Sequence, residues 1–206
     1  MGFDSTALTV VDVDLSLLSD PAVKAPVYRI VDRRSWTGIK HTRIYAQILG
    51  LIESWGARWV VVDATGVGAG LASFLDRGRP GKVIPFLFNG STKSELGWDL
   101  LGIVETGRFK DWSSNNGKNG DDQLQEEFFH QLELCQMTII PGPEHRMRWG
   151  VPDGTRDPAT GELVHDDLVL SAALVGVLDQ QEWFLPGQTV ILAGRDPLHS
   201  MDREGF

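Results

Sequence analysis

Residues 58–63 (RWVVVD) limit the fold of this chain more than any other part of its sequence. Three consecutive valines favour a short strand buried on both faces, because a half-exposed strand would alternate apolar and polar residues. Such a strand needs a layer of helices above it and below it. The run therefore predicts an α/β protein in which Asp63 stands at the carboxyl end of a central strand.

Strand and helix patterns alternate along the rest of the chain. β-branched and alternating segments predict strands at residues 6–13, 27–34, 83–88, 137–140 and 147–151. Apolar stripes with helical spacing predict helices at residues 40–55, 69–76, 93–106, 122–135 and 166–178. We expect the first two strands to be antiparallel neighbours, and the whole to form a sheet flanked by helices.

Length, charge and cysteine content exclude several classes of protein. The chain has 206 residues, which fits one domain; we expect it over residues 1–185, followed by a tail over residues 186–206. Its 19 basic and 28 acidic residues give a net charge of −9, so nucleic acid must be held locally and not through net charge. One cysteine excludes an internal disulfide. Without a signal peptide or a membrane-spanning run, we expect a soluble, unexported chain with no membrane partner.

Three glycines, Gly66, Gly68 and Gly70, closely follow Asp63. They do not form a dinucleotide-binding fingerprint, because Leu71 stands where the pattern requires another glycine, and the phosphate-loop pattern also fails. We interpret them as residues that let the backbone turn sharply beside Asp63. Open α/β sheets bind ligands at the carboxyl ends of their strands, so Asp63 is a candidate ligand, with a helix cap as the alternative.

A second acidic feature, Asp166 and Asp167, stands at the start of an apolar helix pattern. N-capping accounts for one of these two acids. The other would be buried against the sheet, where it needs a cation, most simply Mg²⁺ or Mn²⁺ bridged to Asp63. The neighbouring His165 is a candidate base or else a surface residue.

Several basic residues are candidates for contacting DNA phosphates. They are Arg33, Arg34, Lys40, Arg43, Lys93, Arg146 and Arg148. Point charges of this kind suit phosphate contacts and not sequence readout. The alternative for each one is a solvated surface charge.

Four blocks of the sequence carry a resemblance to a known family. They are residues 33–42 (RRSWTGIKHT), 61–71 (VVDATGVGAGL), 93–99 (KSELGWD) and 165–174 (HDDLVLSAAL). Together and in this order they resemble the C-terminal nuclease domain of tailed-phage terminase large subunits, over roughly residues 5–180. The resemblance implies an RNase H-like fold, in which a five-stranded mixed sheet flanked by helices presents a carboxylate cluster that binds two divalent ions and cuts DNA.

The resemblance also assigns roles to individual residues. The second acid of the family corresponds to Asp63, and its last acid to the pair Asp166 and Asp167, with Asp167 favoured. These would be the catalytic and metal-binding residues for Mg²⁺ or Mn²⁺, with two ions in the complete site. The implied partners are double-stranded DNA, a portal and a small terminase subunit, and the implied location is the cytoplasm of the bacterial host of a phage or prophage.

The sequence departs from this family in two respects. The family's first strand, which carries the first metal-binding aspartate, is missing, as is the ATPase domain, so we expect a fragment or a degenerate copy. Asp4, Asp12 and Asp14 do not match the first acid cleanly. The strand at residues 6–13 should then be an edge strand. Two functions stay open: a two-metal endonuclease that cuts double-stranded DNA, and a cleavage-incompetent DNA-binding or docking domain of the packaging motor.

Overall fold

The computed structural model describes residues 5–112 and 120–185 of the chain. Its strands are β1 (Ser5–Asp14), β2 (Val27–Thr37), β3 (Val60–Asp63), β4 (Val83–Phe86), β5 (Phe109–Lys110), β6 (Gln136–Ile139) and β7 (Met147–Gly150). Its helices are α1 (His41–Ser54), α2 (Gly68–Gly78), α3 (Gly90–Glu105), α4 (Gly120–Leu134), α5 (Asp167–Ala173) and α6 (Val175–Asp179). The predicted tail, residues 186–206, lies outside the described residues. No helix of the described ranges is long and apolar enough to cross a bilayer.

β1 and β2 form an antiparallel pair, as predicted, from the Ser5–Thr37 pair to the Asp14–Val27 pair. The two-residue strand β5 adds to the other side of β2 in parallel orientation. The strand order is therefore β1-β2-β5, and within the described residues β1 is an edge strand. This agrees with the expectation for residues 6–13.

β3 and β4 form a separate parallel sheet whose last pair joins Asp63 to Phe86. The prediction of a central strand buried on both faces is corrected here. Val62 is buried, but Val60 and Val61 are only half-buried, because no further strand of the described chain pairs with β3. The expected single five-stranded sheet is thus divided between two sheets, and the third sheet is the antiparallel hairpin of β6 and β7.

Helices cover the sheets on two sides. On one side, α1 and α2 bury Ile44, Ile48 and Leu75 in a core that includes Val62 of β3 and contacts Leu8 of β1. Each such fully buried side chain stabilises the fold by about 1.5–3 kcal/mol. Because one core contacts both β1 and β3, the two sheets share a layer.

On the other side of that layer, α5 packs across both sheets. Leu168 and Ala172 bury a core that contacts Ala7 of β1. Ala173 belongs to a core that contacts Val61 of β3. Helices therefore enclose the layer of strands from both faces, as the α/β prediction requires.

The predicted helix at residues 166–178 is broken at Leu174 into α5 and α6. The end of α6 is held from elsewhere in the fold: Asp179 accepts hydrogen bonds from the Tyr28 hydroxyl at 2.7 Å and from the Arg108 guanidinium at 2.6 and 2.9 Å. Burial, together with the carboxylate of Asp179, raises the pKa of Tyr28 well above its ordinary value. These bonds fix the end of α6 against β2.

Candidate active site

Asp63 is the last residue of β3, and its side chain is exposed. Its Oδ1 atom accepts a hydrogen bond from the backbone N–H of Thr65 at 2.7 Å. This hydrogen bond goes to the turn before α2, and the N-cap residue of that helix is Val67, which makes no side-chain capping bond. Asp63 therefore does not cap α2. The helix-cap alternative is thereby excluded, and one carboxylate oxygen is held in place by the turn.

Two glycines shape the turn after Asp63. Gly66 has φ of +54°, a conformation that favours glycine. A Cβ atom at Gly68 would collide with the backbone carbonyl oxygen of Asp63. The start of α2 can therefore lie against Asp63 only because residue 68 has no side chain, which agrees with the interpretation of the glycine run.

Asp166 stands at the N-cap position of α5, but its side chain makes no capping hydrogen bond. Instead, the side-chain oxygen of Gln131 on α4 accepts the backbone N–H of Leu168 at 3.0 Å. N-capping therefore does not account for Asp166. Its half-buried carboxylate faces the Lys93 ammonium, with 3.5 Å between Oδ2 and Nζ.

Lys93 reaches Asp166 from the first turns of α3. Asn89 caps this helix by accepting the backbone N–H groups of Ser91 and Thr92 at 2.9 and 3.0 Å. The indole N–H of Trp149 donates to the carbonyl oxygen of Lys93 at 2.6 Å. The backbone of Lys93 is thus fixed from both the helix and β7.

Gly150 of β7 lies directly against the ion pair of Asp166 and Lys93. It has φ of +125°, and a Cβ atom there would collide with Oδ2 of Asp166 and lie 3.2 Å from the ammonium of Lys93. The close approach of β7 to the Asp166–Lys93 pair therefore requires glycine.

Asp63 and Lys93 lie at the same edge of the fold. β3 and β4 are parallel, so Asp63 and the loop that leads to α3 both follow carboxyl strand ends. The hydroxyl oxygen of Thr65 accepts the backbone N–H of Phe88 at 2.7 Å and ties the two loops together. Through its pair with Lys93, Asp166 comes to this edge. Asp167 is the first residue of α5 and is half-buried, and His165 is exposed.

The described chain does not assemble a larger ligand cluster here. No group of three or more His, Cys, Asp or Glu side chains in residues 5–112 and 120–185 could hold a metal ion. The donors at this edge are carboxylate oxygens, which suit a hard cation such as Mg²⁺ or Mn²⁺. As far as the described residues go, the remaining coordination positions fall to water or substrate oxygens.

One predicted phosphate contact is corrected by the structure. The side chain of Arg33 is 0% exposed, and its guanidinium pairs with both carboxylate oxygens of Asp111 at 3.1 and 2.6 Å. It also lies 4.2 Å from the ring centroid of Phe128 and 4.7 Å from that of Trp112. Arg33 therefore holds β2 to α4 and does not face DNA. Its partner is 78 residues away, so no local pattern could have shown this.

Three other basic residues line one groove. Lys93, Arg146 and Arg148 surround a space of about 380 Å³ between the start of α3 and β7. Arg146 pairs with Glu144 at 2.6 Å, while Arg148 is exposed. The remaining candidates, Arg34, Lys40 and Arg43, are exposed elsewhere, and Arg34 pairs with Asp32 at 2.9 Å.

Bonds from α3 fasten the β6–β7 hairpin that carries two of these charges. The hydroxyl of Ser94 accepts the backbone N–H of Met147 at 2.8 Å. The indole N–H of Trp98 donates to the carbonyl oxygen of His145 at 3.2 Å. Gly97 lies beneath Trp149, where a Cβ atom would collide with the indole. The two walls of the groove are therefore one packed unit.

No family model matches the sequence. A curated relative from Haemophilus phage HP1, "Probable terminase, ATPase subunit", is 25% identical over 99 residues. The match covers 48% of this chain and only 16% of that relative, so the chain spans a small part of its length.

The similar solved structures are all nucleases or nuclease domains of phage large terminases. The large terminase nuclease from thermophilic phage G20c with bound cobalt has a TM-score of 0.52 at 19% identity, over 83% of this chain and 81% of that one. The same nuclease with bound magnesium has a TM-score of 0.51 at 19% identity, over 85% and 84%. A mutant nuclease domain of the large terminase subunit gp2 of bacterial virus Sf6, with manganese and beta-thujaplicinol, has a TM-score of 0.52 at 13% identity, over 89% and 90%.

The chain has an α/β fold of the RNase H-like class. Within that class, its fold is that of the nuclease domains of phage large terminases, which confirms the resemblance carried by the four sequence blocks.

Proposed function

We propose that this chain is a metal-dependent endonuclease domain of a phage DNA-packaging terminase and that it cuts double-stranded DNA. The observation that carries the proposal is the pair of carboxylates at one sheet edge, Asp63 after β3 and Asp166 before α5. Neither one caps the helix that follows it, so helix capping accounts for neither carboxylate. The fold supports the same function, because similar nuclease domains were solved with cobalt, magnesium and manganese.

Asp63, Asp166 and Asp167 would hold the divalent ions, Mg²⁺ or Mn²⁺. Their oxygen donors fit a hard cation, and water and phosphate oxygens would complete its coordination, since the described residues offer no group of three ligands. When bound in pairs, such ions supply an activated water and stabilise the leaving oxygen of a phosphodiester.

The chain's own residues would position the DNA. Lys93, Arg146 and Arg148 line the groove beside Asp166 and would contact backbone phosphates. A protein with a net charge of −9 needs such a local basic surface to approach DNA. Lys93 has a second role, because its ammonium balances the charge of Asp166 when no cation is present.

The wider setting belongs to the same proposal. The packaging partners would be a portal and a small terminase subunit, and the site of action would be the cytoplasm of the bacterial host. The name of the Haemophilus phage HP1 relative supports this setting. Residues 1–185 would form the nuclease domain, and residues 186–206 would follow it as a tail.

Two observations favour a second candidate function, a DNA-binding or docking domain that does not cut. Within the described ranges no three-ligand cluster exists, and the Lys93 ammonium lies 3.5 Å from Asp166, where it competes with a cation. Such a domain would bind DNA through the basic groove and show no dependence on Mn²⁺.

Plasmid nicking separates the two functions. We expect the chain to convert supercoiled plasmid to the nicked form with Mn²⁺ and not with EDTA. Asp63→Asn should abolish nicking, while Asp76→Asn, an exposed carboxylate on α2, should leave it unchanged. In calorimetric titrations, Asp63→Asn should bind Mn²⁺ more weakly than the unmodified chain does, whereas Asp76→Asn should bind it equally well. Equal nicking by all three proteins would show that Asp63 has no catalytic part, and DNA binding without nicking would favour the docking domain.

A further inference from the structure

Thr65 is hydrogen-bonded to residues that follow two neighbouring strands. Its backbone N–H donates to Oδ1 of Asp63 at 2.7 Å. Its hydroxyl oxygen accepts the backbone N–H of Phe88, also at 2.7 Å. The ladder between β3 and β4 ends with the bond from the Ala64 N–H to the Phe86 carbonyl oxygen at 2.7 Å. The Thr65–Phe88 bond therefore continues the connection between the two strands past their ends, beside Asp63.

Phe88 is a well-anchored partner for this bond. Its ring packs edge-on against Phe86, with 4.7 Å between the ring centroids. Phe88 also contacts the core formed by Leu96 of α3 and Ala173 of α5. Since α5 begins with Asp167, the core that holds Phe88 also holds the helix that carries a second candidate ligand.

The loop around Phe88 is held by α3 as well. The Thr92 hydroxyl donates to the carbonyl oxygen of Leu87 at 2.6 Å and accepts the backbone N–H of Asn89 at 2.9 Å. These bonds fix the residues on both sides of Phe88 to the first turn of the helix. A bond to the Phe88 N–H therefore ties the turn after β3 to a part of the fold that is held by α3 and by the core.

The turn that carries Asp63 is itself open to solvent. Asp63, Thr65 and Gly66 are exposed, and Val67 is 72% exposed. Within the described part of the chain, side-chain packing therefore contributes little to where this turn lies. Hydrogen bonds have to determine its position.

We propose that Thr65 is a positioning residue whose hydroxyl oxygen fixes the Asp63 carboxylate relative to α5. The proposal rests on the proposed function, because this placement matters for the metal affinity of the carboxylates. Metal ligands must be held within roughly 0.5 Å of the productive geometry, and their own hydrogen-bond partners provide this. Valine has nearly the shape of threonine but cannot accept a hydrogen bond, whereas serine can. Substitution by each therefore separates the bond from the packing.

Titration calorimetry with Mn²⁺ tests the effect on the site. We expect Thr65→Val to bind Mn²⁺ about tenfold more weakly than the unmodified chain, because loss of a ligand's hydrogen-bond partner has effects of this size. Thr65→Ser should bind as the unmodified chain does. Thr138→Val, at an exposed threonine of β6, is the matched control and should not change the affinity. The Thr65–Phe88 bond is exposed, so water can replace it, and Thr65→Val should lower the melting temperature by less than about 2 °C.

Amide exchange measured by NMR without metal tests the positioning itself. The informative amide is that of residue 65, because its acceptor is the Asp63 carboxylate and not the substituted side chain. We expect the protection factor of this amide to fall at least about fivefold in Thr65→Val, as the carboxylate loses its fixed place. In Thr65→Ser it should stay unchanged.

Three outcomes would overturn the proposal. The first is a residue 65 amide that stays equally protected in Thr65→Val, because Asp63 would then be held without the hydroxyl. The second is Mn²⁺ binding by Thr65→Val that equals the binding by the unmodified chain. The third is a loss in Thr65→Ser as large as that in Thr65→Val. If none of the proteins binds Mn²⁺, the proposed function fails, and the residue 65 amide alone decides whether Thr65 positions Asp63.

Discussion

A hydrogen bond between Gln131 and Leu168 caps the helix that follows Asp166 of the candidate site. The Gln131 side chain caps α5 by accepting the Leu168 N–H at 3.0 Å, and it makes this bond from α4. Both residues are buried, so water does not replace the bond. The capping function that usually falls to the residue before a helix is performed here by a different helix, which leaves Asp166 to face Lys93.

Replacing Gln131 should therefore affect both stability and the position of Asp166. Gln131→Ala leaves a buried N–H without a partner, and we expect the free energy of unfolding to fall by about 1–3 kcal/mol. Urea denaturation measures this loss. Gln123→Ala, an exposed glutamine on the same helix, should change it by less than about 0.5 kcal/mol. Equal effects of the two substitutions would show that the Gln131–Leu168 bond does not contribute.

The glycines of α2 provide a matched pair. Gly68→Ala places a Cβ atom against the carbonyl oxygen of Asp63, whereas Gly70→Ala meets open space in the same helix. We expect Gly68→Ala to lower the melting temperature and Mn²⁺ affinity together. Gly70→Ala should raise stability by up to about 1 kcal/mol, because alanine favours helix more than glycine does. Calorimetry with and without Mn²⁺ measures both quantities.

Lys93 should have opposite effects on metal and on DNA. Lys93→Met removes the ammonium 3.5 Å from Asp166, so we expect the free protein to bind Mn²⁺ several-fold more tightly. The same change removes one phosphate contact and should weaken DNA binding and its dependence on salt. Isothermal titration and fluorescence anisotropy measure the two affinities. Lys110→Met, an exposed lysine on β5, should alter neither one.

Cys135 reports on the charge of Asp166. Burial, and then the carboxylate of Asp166, raise the pKa of the Cys135 thiol to about 11. Cys135 is the only cysteine of the sequence, so the rate of iodoacetamide labelling reports the reactivity of this one thiol. We expect slow labelling at pH 9 and faster labelling in Asp166→Asn, because losing the negative charge lowers the pKa. Asp153→Asn is the control, and identical rates in all three proteins would contradict the assignment.

The raised thiol pKa also sets a direction for stability. Because the folded protein keeps the thiol protonated, the associated stability is fully present below the unfolded pKa, near 9. It is lost as the pH rises from there towards about 11, since only the unfolded chain releases the proton in this range. Cys135→Ser should flatten this decline in urea denaturation measured from pH 8 to pH 11.

The elements that the sequence predicted well are those with local signals. Helices α1 and α3 were predicted from their apolar stripes, and a glycine with positive φ follows the end of each, Gly56 at +60° and Gly107 at +67°. Asp63 was placed at a strand end by the valine run alone, and the structure has it there. The two-residue strand β5 was missed because it is too short to show a pattern.

The features that were missed depend on distant partners. An arginine such as Arg33 is usually exposed. Here it is buried by contacts with three residues from later segments, Asp111, Trp112 and Phe128. The pair between Lys93 and Asp166 joins two blocks that the sequence suggested separately. A sequence pattern shows which side chains are present but not which ones come into contact in the fold. The hydrogen bond by which Gln131 caps α5 therefore had no signal in the sequence.

The attachment of the β6–β7 hairpin to α3 has a consequence for ligand binding. The hydrogen bonds from Ser94 and Trp98, with the indole of Trp149 seated on Gly97, fix the hairpin before any ligand arrives. The separation between the backbone of Lys93 on α3 and the backbone of the hairpin that carries Arg146 and Arg148 is therefore determined during folding. The associated loss of conformational entropy occurs then and does not oppose binding later. A polyanion must match a fixed spacing of charges, so a stiff duplex would suit this groove better than a flexible single strand.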